Sequence, residues 1–176
     1  MNGPCYMKYL LALSCILCTL AVTVACSETP VIEIETDTKP DYTQNAINAN
    51  RYLIEHEETA IGGYIDRRGW SVRQLACGAR VHEYVAGQGS AIGNDDSVSV
   101  SYRVEDLAGN VLYDNRDESF LAGRMQPCEG LDAAILSLRH GSRAHVIVPS
   151  QAAFGAVGDG DAIPPRTPLM YTIDIK

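Results

Sequence analysis

Apolar and polar residues alternate in two stretches near the carboxyl end of the chain. Ala144, Val146 and Val148 alternate with His145 and Ile147, while Leu169, Tyr171, Ile173 and Ile175 alternate with Met170, Thr172, Asp174 and Lys176. Successive side chains of a strand point to opposite faces, so each stretch predicts a strand with one buried face. Upstream, Val81 to Val85 predicts a strand, and Val98, Val100 and Tyr102 against Ser99, Ser101 and Arg103 predict another that ends near Tyr102. Ala108-Gly109-Asn110 turns the chain, Val111 to Asp114 returns, and Val72 offers a further edge strand. Leu131, Ala134, Ile135 and Leu138 fall at i, i+3, i+4 and i+7, one face of a short helix that Gly141 can end. Ile47, Ile54 and Ile61 recur every seven residues, with Leu53, Tyr64 and Ile65 beside them. That spacing predicts an amphipathic helix, or a helix pair broken near Gly62 and Gly63. Antiparallel strands wrapped on one short helix define an α+β fold.

The amino-terminal pattern is different. Lys8 precedes an apolar run from Tyr9 to Val24, short for a membrane span but suited to a signal-peptide core. Thr23-Val24-Ala25-Cys26 resembles a lipoprotein signal, which implies lipidation at Cys26; translation begins at Met1 or at Met7. Residues 26–44 carry Glu28, Glu33, Glu35, Asp37 and Asp41 among few large apolar residues, the composition of a flexible acidic tether. The predicted organisation is therefore a signal over 1–25, the tether over 26–44, the amphipathic helical extension over 45–69, and a globular domain over 70–176. The apolar stripe of the extension either packs on its own domain or pairs two chains as a homodimer through residues 45–69.

Composition narrows the function. A formal charge of −8 over 176 residues lacks the basic face that a nucleic-acid partner requires. No metal is implied, because the four histidines are scattered and no cysteine pair accompanies them. Cys15 and Cys18 have redox spacing but lie inside the apolar run of the signal. Cys77 and Cys128 remain for the globular part, and sequence leaves their pairing open. The string from Gly87 to Gly93 invites a phosphate-loop reading, yet an acidic turn and a strand follow it rather than a helix.

The succession GLDAAILSLRHG, then VPSQAAFG, then IPPRTPLMY resembles the FKBP-type peptidyl-prolyl cis-trans isomerases, and the resemblance reaches back to about Val81. It implies a curved antiparallel sheet around one helix and a pocket that takes proline-containing polypeptides without a cofactor. Residue by residue, it implies that Tyr102 lines the pocket. Tyr113 and Asp114 match an aromatic wall and a carboxylate near the substrate carbonyl. The backbone N–H of Cys128 is the implied donor to a substrate carbonyl, with Pro127 beside it, and Leu131 is the implied pocket floor. Phe120, Phe154, Ile163 and Tyr171 complete the substrate contacts. Three departures stand out: Phe154 lacks the hydroxyl of the commoner Tyr, Leu131 is smaller than Trp, and Glu118 lies near a position where an aromatic wall is usual. Together with the lipoprotein signal, the resemblance implies an isomerase that folds exported proteins in the bacterial cell envelope, anchored to a membrane by lipid. Its alternatives are a non-catalytic chaperone or binding module of the same fold, and a structural part of an envelope or motility complex.

Overall fold

The computed structural model describes residues 42–176, so the signal, Cys26 and most of the tether lie outside the described residues. Helix α1 (Tyr42–Arg68) leads into strands β1 (Arg73–Gln74), β2 (Arg80–Val85), β3 (Ser97–Asp106) and β4 (Val111–Leu121). Helix α2 (Glu129–Leu136), strand β5 (Arg143–Val148), a 3-10 turn (Ser150–Ala152) and strand β6 (Leu169–Ile175) follow. The six strands form one antiparallel sheet in the order β1-β2-β5-β6-β3-β4.

Alternation places Val98, Val100, Tyr102 and Val104 of β3 and Leu169, Tyr171, Ile173 and Ile175 of β6 on one face. There they bury Leu131, Ala134 and Ile135 of α2. Strands β3 and β4 run well past Tyr102 and Asp114, because their partners in β6 and in each other continue the ladder beyond the alternating residues. The edge strand falls on Arg73–Gln74, immediately after Val72. Gly130 is required where α2 meets β5: a Cβ there would stand 2.3 Å from Val148 Cγ1. The string around Gly87 and Gly89 is likewise a close approach, since a Cβ on Gly89 would meet His140 Cβ at 2.6 Å.

Part of the second face of the sheet is buried as well, contrary to the expectation from alternation. Ile147 and Met170, on the nominally outer positions, pack against Ile61, Tyr64 and Ile65 of α1. Helix α1 is a single 27-residue helix, with no break at Gly62 and Gly63. Two glycines cost a helix about 1 kcal/mol each, and burial of the flanking Ile61, Tyr64 and Ile65 is large enough to offset that. The helix ends at Gly69, whose φ of 63° lets its amide reach Asp66 O at 3.1 Å while Trp70 N reaches Ile65 O at 3.3 Å. These are the two hydrogen bonds of a Schellman cap, with the Trp70 ring turned back onto Tyr64 at 5.9 Å.

Polar groups pin the same helix. Glu57 accepts from Ser150 N at 2.5 Å and Ser150 Oγ at 2.6 Å, and Glu58 pairs with Arg80. Toward its amino end the stripe runs out of partners: Ile47 and Leu53 are exposed, as are Tyr42 and Tyr52. Of the heptad isoleucines only Ile61 is fully buried.

Candidate active site

One end of the sheet opens into a cleft between β3, β4, β6 and the loops around Pro127 and Phe154. It encloses about 170 Å³, and Tyr102, Val104, Tyr113, Arg116, Glu118, Pro127, Phe154, Asp159, Ile163 and Tyr171 line it. Strand register explains who faces inward. Tyr102 and Val104 are consecutive inward residues of β3, and they pair with Arg116 and Tyr113 of β4. Arg103 between them therefore opposes two residues, Asp114 and Asn115, a β-bulge with Asn115 at φ 49°. The bulge keeps Tyr113, Arg116 and Glu118 toward the cleft and turns Asp114 out.

Of the ten residues proposed from sequence for the pocket, Tyr102, Tyr113, Pro127, Phe154, Ile163 and Tyr171 come together there. Asp114 does not. Its half-exposed carboxylate sits 3.8 Å from Arg103 in a shallow polar groove with Tyr84, Arg143 and Asp174. Leu131 has no exposed surface and supports the walls from the core instead of forming an open floor. Cys128 is buried at the N-cap of α2, its Sγ 3.8 Å from Tyr171 Oη. Phe120 packs against the core farther along β4 and does not line the cleft. Cys77 and Cys128 are both free thiols.

Tyr102 and Tyr171 are almost wholly buried, with ring centroids 6.0 Å apart at 57°. Pro127 is held by a loop that the sequence did not signal: buried Asp132 of α2 accepts Gly123 N at 2.8 Å and Met125 N at 2.9 Å. Asp159 is the other residue missed. Its Oδ1 accepts Asp161 N at 2.9 Å and Ile163 N at 2.8 Å, and its Oδ2 accepts the Tyr113 hydroxyl. An Asp two residues before another Asp in a Gly-rich loop is an Asx-turn signal, and it was the available clue.

The ionisable groups follow from these contacts. Burial, then the hydrogen bond and charge of Glu118, push the Tyr102 phenol well above its ordinary value. Burial does the same to Tyr171, seconded by Cys128. Burial also pushes the Cys128 thiol up, so it stays protonated and inert near neutral pH. Burial opposes ionisation of Asp159, but the hydrogen bonds from Tyr113 and the amides of Asp161 and Ile163 outweigh it and hold the carboxyl below the usual range. Among the described residues, no group of three His, Cys, Asp or Glu is placed to hold a metal ion.

An aromatic cleft with neutral tyrosines at its centre thus stands at the open end of a sheet curled over one helix. The sequence profile of the FKBP-type peptidyl-prolyl cis-trans isomerases matches residues 89–176, half of the chain, and the protein belongs to that family. It is similar to a probable FKBP-type 25 kDa peptidyl-prolyl cis-trans isomerase of Pseudomonas aeruginosa, 34% identical over 110 residues. That match covers 62% of this chain and 48% of the relative. A 46 kDa FK506-binding nuclear protein of Spodoptera frugiperda is 26% identical over 108 residues, covering 59% of this chain and 26% of the relative. The chain thus spans less than half the length of these curated relatives. Among solved structures, a peptidyl-prolyl cis-trans isomerase of Pseudomonas syringae superposes with a TM-score of 0.61 at 26% identity, over 71% of this chain and 92% of that one.

Proposed function

We propose that the protein is a peptidyl-prolyl cis-trans isomerase acting through this cleft. The observation that carries the reading is the convergence of Tyr102, Tyr113, Phe154, Ile163 and Tyr171 on one cavity. Rotation about a prolyl bond breaks amide resonance, and the barrier is about 18 to 20 kcal/mol. In the twisted amide the carbonyl carries less negative charge, so transfer from water to an apolar cleft favours it over both planar forms. No nucleophile and no proton transfer are needed. Ring walls from three strands hold the prolyl ring, and the backbone N–H of Cys128 at the start of α2 serves as donor to a flanking carbonyl. Each tenfold acceleration requires about 1.4 kcal/mol of preference for the twisted state. The test is the cis-to-trans rate of X-Pro peptides with the chain and with Tyr102→Ala and Tyr171→Ala variants. Acceleration lost in the variants supports the reading, and a folded chain without acceleration sinks it.

The wider role rests on sequence. The signal over 1–25 and the tether over 26–44 support an isomerase lipidated at Cys26 and held at a membrane of the bacterial cell envelope, where it assists exported proteins. A Cys26→Ala chain that remains membrane-bound would contradict the anchor.

A second reading, a chaperone or binding module, draws on α1. Its exposed Leu53 borders a groove of about 350 Å³ that Ile54, Ala60, Leu107 and Pro168 also line. The exposed Ile47 and Leu53 equally suit a homodimer through residues 45–69, which sedimentation of the chain tests.

A further inference from the structure

Glu118 stands in the β4 wall of the cleft, and Asp159 stands in the loop that closes its side. Asp161 reaches the same edge, its Oδ2 3.4 Å from the Tyr113 hydroxyl. Against these carboxylates the lining offers one guanidinium, that of Arg116. It is already engaged twice, 4.4 Å above the Tyr113 ring and 3.5 Å from Glu118 Oε1. The surplus of charge around the cleft is therefore negative. The phenols register the same field. Glu118 raises Tyr102 after burial, and the Asp159 hydrogen bond is the main cause raising Tyr113, with the charges of Asp159 and Asp161 adding to it. A phenol ionises less readily where negative potential already stands.

We propose that the cleft selects prolyl bonds flanked by lysine or arginine, with Glu118 as the specificity-determining residue and Asp159 and Asp161 as supporting anions. This rests on the isomerase reading above and names its substrate class. A lysine or arginine suits both parts of such a site: its methylene stem lies along aromatic walls while its head group reaches carboxylates at the rim. Asp159 is held by three hydrogen bonds and acts as a fixed charge. Glu118 meets the Tyr102 hydroxyl and an open ion pair with half-exposed Arg116, so an incoming cation can share its carboxylate. A substrate glutamate meets like charge from three sides and finds Arg116 already paired. Complementary rim charge of this kind acts on encounter and selectivity more than on raw affinity.

The experiment uses the full chain and two peptide series, in which Lys, Leu or Glu stands directly before the proline or directly after it. The expected kcat/KM for the Lys peptide exceeds that for Leu by roughly three- to tenfold in at least one series, with Glu lowest. The ratio shrinks as salt rises from about 0.01 M to about 1 M, because the screening length falls from about 30 Å to about 3 Å. In Glu118→Gln it moves toward one. Each variant is read as a ratio between its own substrates, so a general loss of fold cancels. Exposed Asp161→Asn provides a second variant with a smaller shift in the same direction. Equal acceleration of all three peptides in both series, or an advantage for Glu, overturns the selectivity and leaves the isomerase standing. A folded chain that accelerates none of them overturns both.

Discussion

The hydroxyl of Tyr113 donates to Oδ2 of Asp159, while the other oxygen of that carboxylate accepts the amides of Asp161 and Ile163. One side chain thus fastens the loop carrying Ile163 to the wall carrying Tyr113. Tyr113→Phe removes only the hydroxyl and is expected to lower kcat/KM about two- to tenfold, the equivalent of one hydrogen bond of about 0.5 to 1.5 kcal/mol. Asp159→Ala frees two amides besides and is expected to cost more. Peptide isomerisation rates and melting curves of both variants check this. Equal activity of Tyr113→Phe and the native chain would show that the clasp does not shape the site.

Asp114 and Tyr102 separate the wall from its outer side. Because the bulge turns Asp114 toward Arg103, Asp114→Asn is expected to change the isomerisation rate less than about twofold, the effect of one exposed ion pair. Tyr102→Ala removes a buried ring from the cleft wall and is expected to lower the rate at least about tenfold, the equivalent of about 1.4 kcal/mol. A large loss in Asp114→Asn would put that carboxylate back at the substrate.

Helix α1 is part of the folded unit through Ile61, which has no exposed surface. Ile61→Ala is expected to destabilise the chain by about 2 to 5 kcal/mol, read from the shift of the denaturant midpoint. A shift below about 0.5 kcal/mol, the range of ordinary surface changes, would mean that the helix contributes nothing to the body.

Stability is also expected to depend on pH through His145. Its ring stacks 4.4 Å from Trp70 at 7°, with His82 stacked on the other ring pairings at 5.4 Å and 6.1 Å. Burial first, then the charges of His82 and Arg68, lower its pKa, with Glu105 opposing them. A depressed folded-state pKa means that the native state binds fewer protons than the unfolded one. The stabilisation is therefore complete above about pH 6.5, the ordinary histidine value, and declines as pH falls below it. Urea titrations between pH 8 and pH 5, followed by fluorescence of the single tryptophan, are expected to show that decline, and His145→Gln to flatten it. The same slope in His145→Gln would assign it to another group.

Much of the fold could be read from residues that carry a period. Val146, Tyr171 and Leu131 announced two strands and a helix because burial on one face imposes spacings of two and of three to four. Ile147 and Met170 broke the rule, since nothing local says that a second helix will cover the outer face. Gly62 and Gly63 left a single helix and a broken pair both open: their local cost is real, and packing on a distant sheet overrides it.

By itself the sequence determined the α+β plan, the antiparallel strands and the identity of the aromatic residues that meet at the cleft. The plan and the strands follow from side-chain size, polarity and spacing, which act within a few residues; the aromatic residues were named by the resemblance to the family. Only the tertiary structure decided that Asp114 faces away, that Leu131 lies beneath the walls, and that Asp132 holds the loop before Pro127. A bulge, a register and a carboxylate reaching amides seven and nine residues away are set by contacts between segments. Such contacts have no period for a sequence to display.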